Sequence, residues 1–208
     1  MTASTFVRFP IPGWWSYLLA LLAATLVGCG DSEYASPDNA ADVHAADEYA
    51  VFAAVLAQEY GASSYVIYDQ TMACSLDDTH CTEALAYVET QMPELAVVTV
   101  ASFSVRNATS QALSADMDLG APYILVSSQE MQAIFSSHQD GWQLFYERYP
   151  DAPGAMIFSR VGFNSTGDQA LVSWRFQWEW LAGDGGFILL AKVAGTWQVA
   201  HKVVTIVS

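Results

Sequence analysis

Three cysteines are the residues of this chain with the most distinctive chemistry, and their surroundings differ. Cys74 and Cys81 are separated by six residues, which is too wide for a redox C-x-x-C pair. A zinc site would need two further nitrogen or sulfur ligands, and only His80 lies close in sequence. We expect a disulfide between them, with free thiols and a metal site as the alternatives. Cys29 has a different setting, because it ends a long apolar run.

The first 28 residues have the profile of an export signal. Arg8 is the single charge before Asp31, and residues 14–27 form a stretch of 14 residues without a charge. A helix of that length is about 21 Å long, short of the roughly 30 Å hydrocarbon core that a permanent span must cross. A basic start, a short apolar centre and a small-residue exit are typical of a secretory signal.

The end of this signal, Leu26-Val27-Gly28-Cys29, resembles a bacterial lipobox. The resemblance implies cleavage after Gly28, a diacylglyceryl group on the Cys29 thiol, and acylation of the new amino terminus with a chain such as palmitate. Two or three acyl chains hold a protein stably on a membrane. Gly30 stands where an Asp would retain an enterobacterial lipoprotein in the inner membrane, which implies the outer membrane, facing the periplasm. The alternatives are a plain secretory signal and an uncleaved anchor helix.

The chain divides into three parts on this interpretation: a lipoprotein signal peptide at 1–28, the lipidated cysteine with an acidic tether at 29–46, and one domain at 47–208. The tether is rich in small and acidic residues and has no apolar periodicity. As a flexible coil it would reach about 20–25 Å, enough to hold a domain just above a membrane.

Charge excludes one class of partner. The net charge is −15, with eighteen acidic residues and one basic residue, Arg106, between positions 29 and 147. From Arg148 to the end there are five basic and four acidic residues. Nucleic acid would be repelled by such a chain. The hydrophobic content of 53% is sufficient for a real core.

Hydrophobic periodicity predicts an α+β domain, with N-terminal helices packed on a C-terminal four-stranded antiparallel meander. We expect helices at 47–60, at 76–92 and within 127–149, with capping residues at Ser75–Asp78 and Ser127–Glu130. Residues 94–105 suit a strand by their β-branched content and a helix by their spacing, and we favour a helix. Short strands are expected at 65–68 and 123–126, and the meander strands at 155–163, 169–180, 187–193 and 196–207. The turn before the third meander strand includes Gly183–Gly186.

The segment SWRFQWEW alternates strictly, which predicts that its four large rings share one face of a strand. These rings belong to Trp174, Phe176, Trp178 and Trp180. A buried row would be the core face of the sheet beneath the helices. An exposed row would be a platform for a sugar or a protein partner.

No spacing of nucleophile, base or metal ligands marks a catalytic centre, and we expect neither a metal nor another cofactor. The favoured hypothesis is therefore a non-enzymatic envelope lipoprotein that binds a partner protein, a glycan or another surface ligand. The competing hypothesis is an envelope hydrolase that uses carboxylates of the acidic half as acid and base. A cleft with two carboxylates, or a Ser–His pair, would favour the hydrolase.

The C-terminal half resembles an uncharacterised bacterial family of exported proteins. The segments that carry the resemblance are GAMIFSRVGFN (154–164), QALVSW (169–174), GGFILLAK (185–192) and GTWQV (195–199). These segments consist mostly of strand and turn residues, so the resemblance implies a shared fold and no particular activity.

Overall fold

The structure is a computed structural model that describes residues 45–74, 78–136 and 140–207. Residues 1–44, with the expected signal, Cys29 and most of the expected tether, lie outside this part. The helices are α1 (Ala45–Val55), α2 (Thr79–Gln91), α3 (Val97–Arg106), α4 (Ser128–Ile134) and α5 (Gly141–Arg148). The strands are β1 (Tyr65–Tyr68), β2 (Tyr123–Val126), β3 (Ala155–Phe158), β4 (Gly162–Phe163), β5 (Gln169–Glu179), β6 (Ala182–Val193) and β7 (Thr196–Val207).

The strands form one mixed sheet of seven, so the expected four-stranded antiparallel meander is wrong. The order is β2-β1-β3-β5-β6-β7, with β4 paired to β5 beside β3. β1 pairs in parallel with both β2 and β3, while β3, β5, β6 and β7 pair in antiparallel succession. The two short apolar strands of the N-terminal half extend the sheet through helical connections, as parallel pairing requires.

One face of the sheet, which we call the first face, carries Ile67, Met156 and Trp174 and is covered by α1. The rings of Phe52 on α1 and Phe158 on β3 stack with their centroids 4.6 Å apart. Both rings are fully buried, and each such burial contributes about 1.5–3 kcal/mol. The main core therefore lies between α1 and the centre of the sheet.

The opposite or second face, which carries Val66, Ala155 and Leu171, is covered by two separate pairs of helices. α4 and α5 pack over the parallel strands through a cluster that includes Trp142 and Phe145. α2 and α3 pack over the long antiparallel strands. The two pairs leave part of β3 and β5 uncovered between them.

A buried carboxylate fixes the start of α1 to the sheet. Glu48 is 4% exposed and accepts hydrogen bonds from the Arg160 Nε at 3.0 Å, a terminal nitrogen of Arg106 at 3.2 Å and the Val161 backbone N–H at 2.7 Å. Burial lowers the pKa of Arg106, and the charge of Glu48 opposes that effect. Next to it, Asp47 pairs with the Lys192 Nζ at 2.7 Å, at the far end of β6.

The expected strand at 155–163 is interrupted between β3 and β4. The Arg160 N–H donates to the Asn107 side-chain oxygen at 2.7 Å, and the Val161 N–H donates to Glu48. Because these donors bond to side chains, they are not available to a strand ladder. Two short strands therefore replace the one that alternation predicts.

The expected turn at Gly183–Gly186 is also wrong, because β6 already begins at Ala182. A Cβ added at Gly186 would collide with the Val203 carbonyl oxygen of β7. Glycine is required at position 186 because the neighbouring strand approaches too closely for a side chain. A glycine inside a strand often marks such a close approach.

The helix boundaries follow local signals. The Asp78 side chain accepts from the His80 N–H at 3.0 Å and caps α2, so this helix begins at Thr79; Ser75, the expected cap, lies outside the described residues. The predicted cap of α4 is confirmed, since the Glu130 N–H donates to the Ser127 Oγ at 3.1 Å. The choice of a helix for 94–105 is confirmed by α3.

Candidate binding groove

The four predicted aromatic residues do not share one face, which corrects that expectation. Trp174 is completely buried on the first face, and Phe176 and Trp178 follow it there with their rings 5.2 Å apart. Trp180 lies on the second face, with its ring 5.4 Å from that of Phe135. The pairing of β5 with β6 shifts register between Gln177 and Glu179, and such a bulge changes the side on which later residues emerge.

Trp174 is the core member of this set. The Lys202 Nζ lies 4.8 Å from its ring centroid and 5.5 Å from that of Tyr60, and it pairs with Glu59 at 3.0 Å. Tyr60 ends the π-helical turn Leu56–Tyr60 that continues α1. Burial, followed by the nearby Asp184 carboxylate, raises the pKa of Tyr60. This cation is held by residues of the chain itself, so the first face presents no open aromatic platform at Trp174.

The second face holds an open groove of about 530 Å³. It lies where the helix pair α4–α5 stops short of the centre of the sheet. Ile157, Arg175 and Gln177 form its floor on β3 and β5. Its walls are largely aromatic and come from the end of β1, from α4 and α5, and from the β5–β6 connection. The wall includes Tyr68, Gln132, Phe135, Trp142 and Trp180.

Arg175 is the cation on the floor of this groove. Its strand neighbours in register are Ile157 on β3 and Gly185 on β6. A Cβ on Gly185 would approach the Trp174 carbonyl oxygen to 2.8 Å and the Arg175 Cγ to 3.0 Å, so the glycine makes room for the backbone of β5 and for the arginine chain. Arg175 is exposed, and its guanidinium has no hydrogen-bond or ion-pair partner among the described residues. Five donors in a planar fork thus face the groove uncommitted.

Further hydrogen-bonding groups line the same space. Burial raises the pKa of Tyr68, so its phenol is a protonated donor at neutral pH. Gln132 adds a side-chain amide. Trp142 contributes ring surface, because its Nε1 is buried. The groove combines ring surfaces with donors, a composition that suits an anion attached to an apolar group.

A second cavity of about 440 Å³ continues from the first, because Met72 and Arg175 line both. It contains Ser159 and Ser173. The Ser159 Oγ donates to the Arg160 carbonyl at 2.9 Å and accepts from the Ser173 N–H at 2.8 Å. Ser159 is 0% exposed, and this hydroxyl is already committed to the backbone.

Asp78 and His80 stand at the rim of the second cavity. Among the described residues that line the two cavities, Asp78 is the one carboxylate, and it caps α2. The two carboxylates that the hydrolase hypothesis requires are not brought together there. Within the described part of the chain, no group of three or more His, Cys, Asp or Glu is placed to hold a metal ion.

The structure brings Cys74 and Cys81 to disulfide distance, with their Cα atoms 5.6 Å apart, in the wall of the second cavity. A loop this short contributes about 2–3 kcal/mol at best. Cys29 lies outside the described residues. Among the helices that are described, none is both long enough and apolar enough to cross a bilayer.

Arg175 was not singled out by the sequence, where it is one polar position of an alternating strand. Gly185, which lies opposite Arg175, is the residue that could have pointed to it. That pairing is visible only once the register of β5 and β6 is known. Trp180 was predicted to be a possible binding residue, but on the face that carries Trp174 and not on the second face.

No known protein family, no curated protein and no solved structure matches the chain.

Proposed function

We propose that this chain is a lipid-anchored binding protein of the bacterial envelope, and that the groove on its second face takes a small anionic ligand with a ring or apolar portion. The observation that carries the proposal is the uncommitted guanidinium of Arg175 on a floor between aromatic walls.

The chemistry of the groove selects the ligand class. A guanidinium fork binds a carboxylate, phosphate or sulfonate group through two parallel hydrogen bonds, and Tyr68 can add a third donor. The rings of Phe135, Trp142 and Trp180 offer stacking and edge contacts to the apolar portion. The whole chain carries a charge of −15 and repels anions on most of its surface. An exposed cation in a groove attracts an anion locally.

The proposed anchor rests on the lipobox resemblance at Cys29 and on the apolar stretch before it. Intact-mass measurement of protein extracted from membranes tests it. The expected polypeptide begins at Cys29 and carries the mass of a diacylglyceryl group. A mature chain that retains Met1, or an unmodified thiol on protein that floats free of membranes, contradicts the anchor while leaving the groove untouched.

Ligand binding is tested with 8-anilinonaphthalene-1-sulfonate, which joins an aromatic system to a sulfonate. We expect Arg175→Ala to weaken its binding at least about tenfold, because a charge-assisted hydrogen bond contributes about 1.5–3 kcal/mol. The measurement is a fluorescence titration of folded protein, with the fold of each variant checked by circular dichroism.

Two controls sharpen this titration. Arg148→Ala removes an exposed arginine that pairs with Glu130 outside the groove, and it should leave the affinity unchanged. The neutral dye N-phenyl-1-naphthylamine keeps the rings and lacks the sulfonate, so its binding should not depend on Arg175. Equal loss of affinity in both arginine variants, or equal sensitivity of both dyes, would show that Arg175 is not the anion site.

A further inference from the structure

A second feature, separate from the groove, is an exposed apolar surface at the end of the sheet where β5 turns into β6 and where β7 finishes. Leu181 and Val207 are 84% and 81% exposed, and Trp178 and Val204 are 37% and 43% exposed. The register joins them, since Asp184, which lies opposite Phe176 on β5, also lies opposite Val207 on β7. Contiguous exposed apolar side chains mark interaction surfaces. We call these four residues the apolar end.

The apolar end borders an open strand edge. β7 is the last strand of the sheet, and its twelve residues pair with β6 on one side. Beyond Lys202, the outer side of β7 has no backbone partner within the described residues. An edge of this kind is a template for another extended chain.

The first part of the same edge already accepts an amide group. The side-chain amide of Gln58 donates to the Trp197 carbonyl at 3.2 Å, and its oxygen accepts from the Val199 N–H at 3.0 Å. These are the two bonds that the N–H and C=O of one residue in a parallel neighbouring strand would make. Gln58 therefore covers the edge at residues 197–199 and leaves residues 203–207 open.

The occupant follows from backbone chemistry and charge. A lipid surface would leave the edge N–H and C=O groups of β7 unpaired, which is costly in an apolar medium. A second copy would bring another chain of net charge −15. The exposed carboxylate of Glu179 borders the surface, and the chain as a whole is acidic, so a basic segment is favoured.

We propose that the open edge of β7 binds an extended segment of another protein by strand addition, with alternate apolar residues over the apolar end and basic residues between them. The main-chain bonds supply affinity, and the apolar end selects every second side chain. The residues that carry the ligand proposal are not part of this edge or of the apolar end. Either proposal can therefore be wrong while the other holds.

The probe is an acetylated nonapeptide of alternating valine and lysine, titrated calorimetrically into the folded protein. We expect saturable binding by this peptide. The same peptide with N-methylated valines cannot donate main-chain hydrogen bonds and should bind at least about tenfold more weakly. Equal binding of the two peptides would overturn strand addition, because the contact would then be apolar only.

A matched pair of variants locates the site. Val204→Lys places a charge on the apolar end and should weaken peptide binding at least about tenfold. Val98→Lys alters an exposed valine on α3, away from the apolar end, and should leave peptide binding unchanged. An equal effect of both variants overturns the location. Dimerisation of the protein in sedimentation equilibrium, or co-sedimentation with phosphatidylcholine vesicles, if abolished by Val204→Lys, would assign the surface to a second copy or to lipid and overturn the proposal.

Discussion

Replacement of Glu48 by alanine is expected to lower the free energy of unfolding by about 3–5 kcal/mol, the cost typical of removing one partner from a buried ion pair. The side chains of Arg106 and Arg160 are 16% and 15% exposed and would keep their charges without an acceptor. The Val161 N–H would lose its partner as well. The substitution thus leaves three donors unsatisfied in one region.

Urea denaturation followed by circular dichroism measures this loss. Glu89→Ala is the matched control, because Glu89 is an exposed residue of α2, and its removal should change stability by less than about 0.5 kcal/mol. If Glu48→Ala unfolds at the same urea concentration as Glu89→Ala, then the network around Glu48 does not hold α1 to the sheet.

Replacement of Trp174 by alanine is expected to cost about 3–5 kcal/mol, the range for a large ring removed from a core. Trp174 is 0% exposed and lies between α1 and the centre of the sheet. The substitution leaves a cavity and also removes the ring beneath the Lys202 ammonium. Trp174→Phe should cost far less, because it retains most of the buried apolar surface.

Trp178→Ala is the control from the same strand. This ring is 37% exposed, so its loss should cost about 1 kcal/mol or less. Thermal and urea unfolding of the three variants test whether Trp174→Ala loses the most stability. Comparable losses for Trp174→Ala and Trp178→Ala would contradict the division of these aromatic residues into a core member and a surface member.

The elements of the domain were largely predictable, and their arrangement was not. The strands Tyr65–Tyr68 and Tyr123–Val126 have the predicted bounds, because short apolar runs between polar breaks are local signals. Their place in the sheet depends on pairing with β3, which lies far along the chain. No local pattern specifies such a partner. The expected sheet therefore contained only the four antiparallel strands.

The candidate site shows the same limit. Alternation predicted correctly that Trp174, Phe176 and Trp178 share a face, but it cannot anticipate the register shift after Gln177 that places Trp180 on the other. Glycine at 183–186 suggested a turn, although its function depends on how closely β5 and β7 approach. The role of Arg175 likewise follows from helices that stop short of the sheet centre, and their extent is a tertiary property.

The ion pair of Asp47 with Lys192 fixes where the first described residues lie along the sheet. It holds the beginning of α1 at one extremity of β6, whereas Leu181 lies just before the other extremity of that strand. Ala182 and Lys192 are ten positions apart along β6, a distance of about 33 Å at the usual rise per residue. The first residues of α1 and Leu181 therefore lie at opposite poles of the sheet.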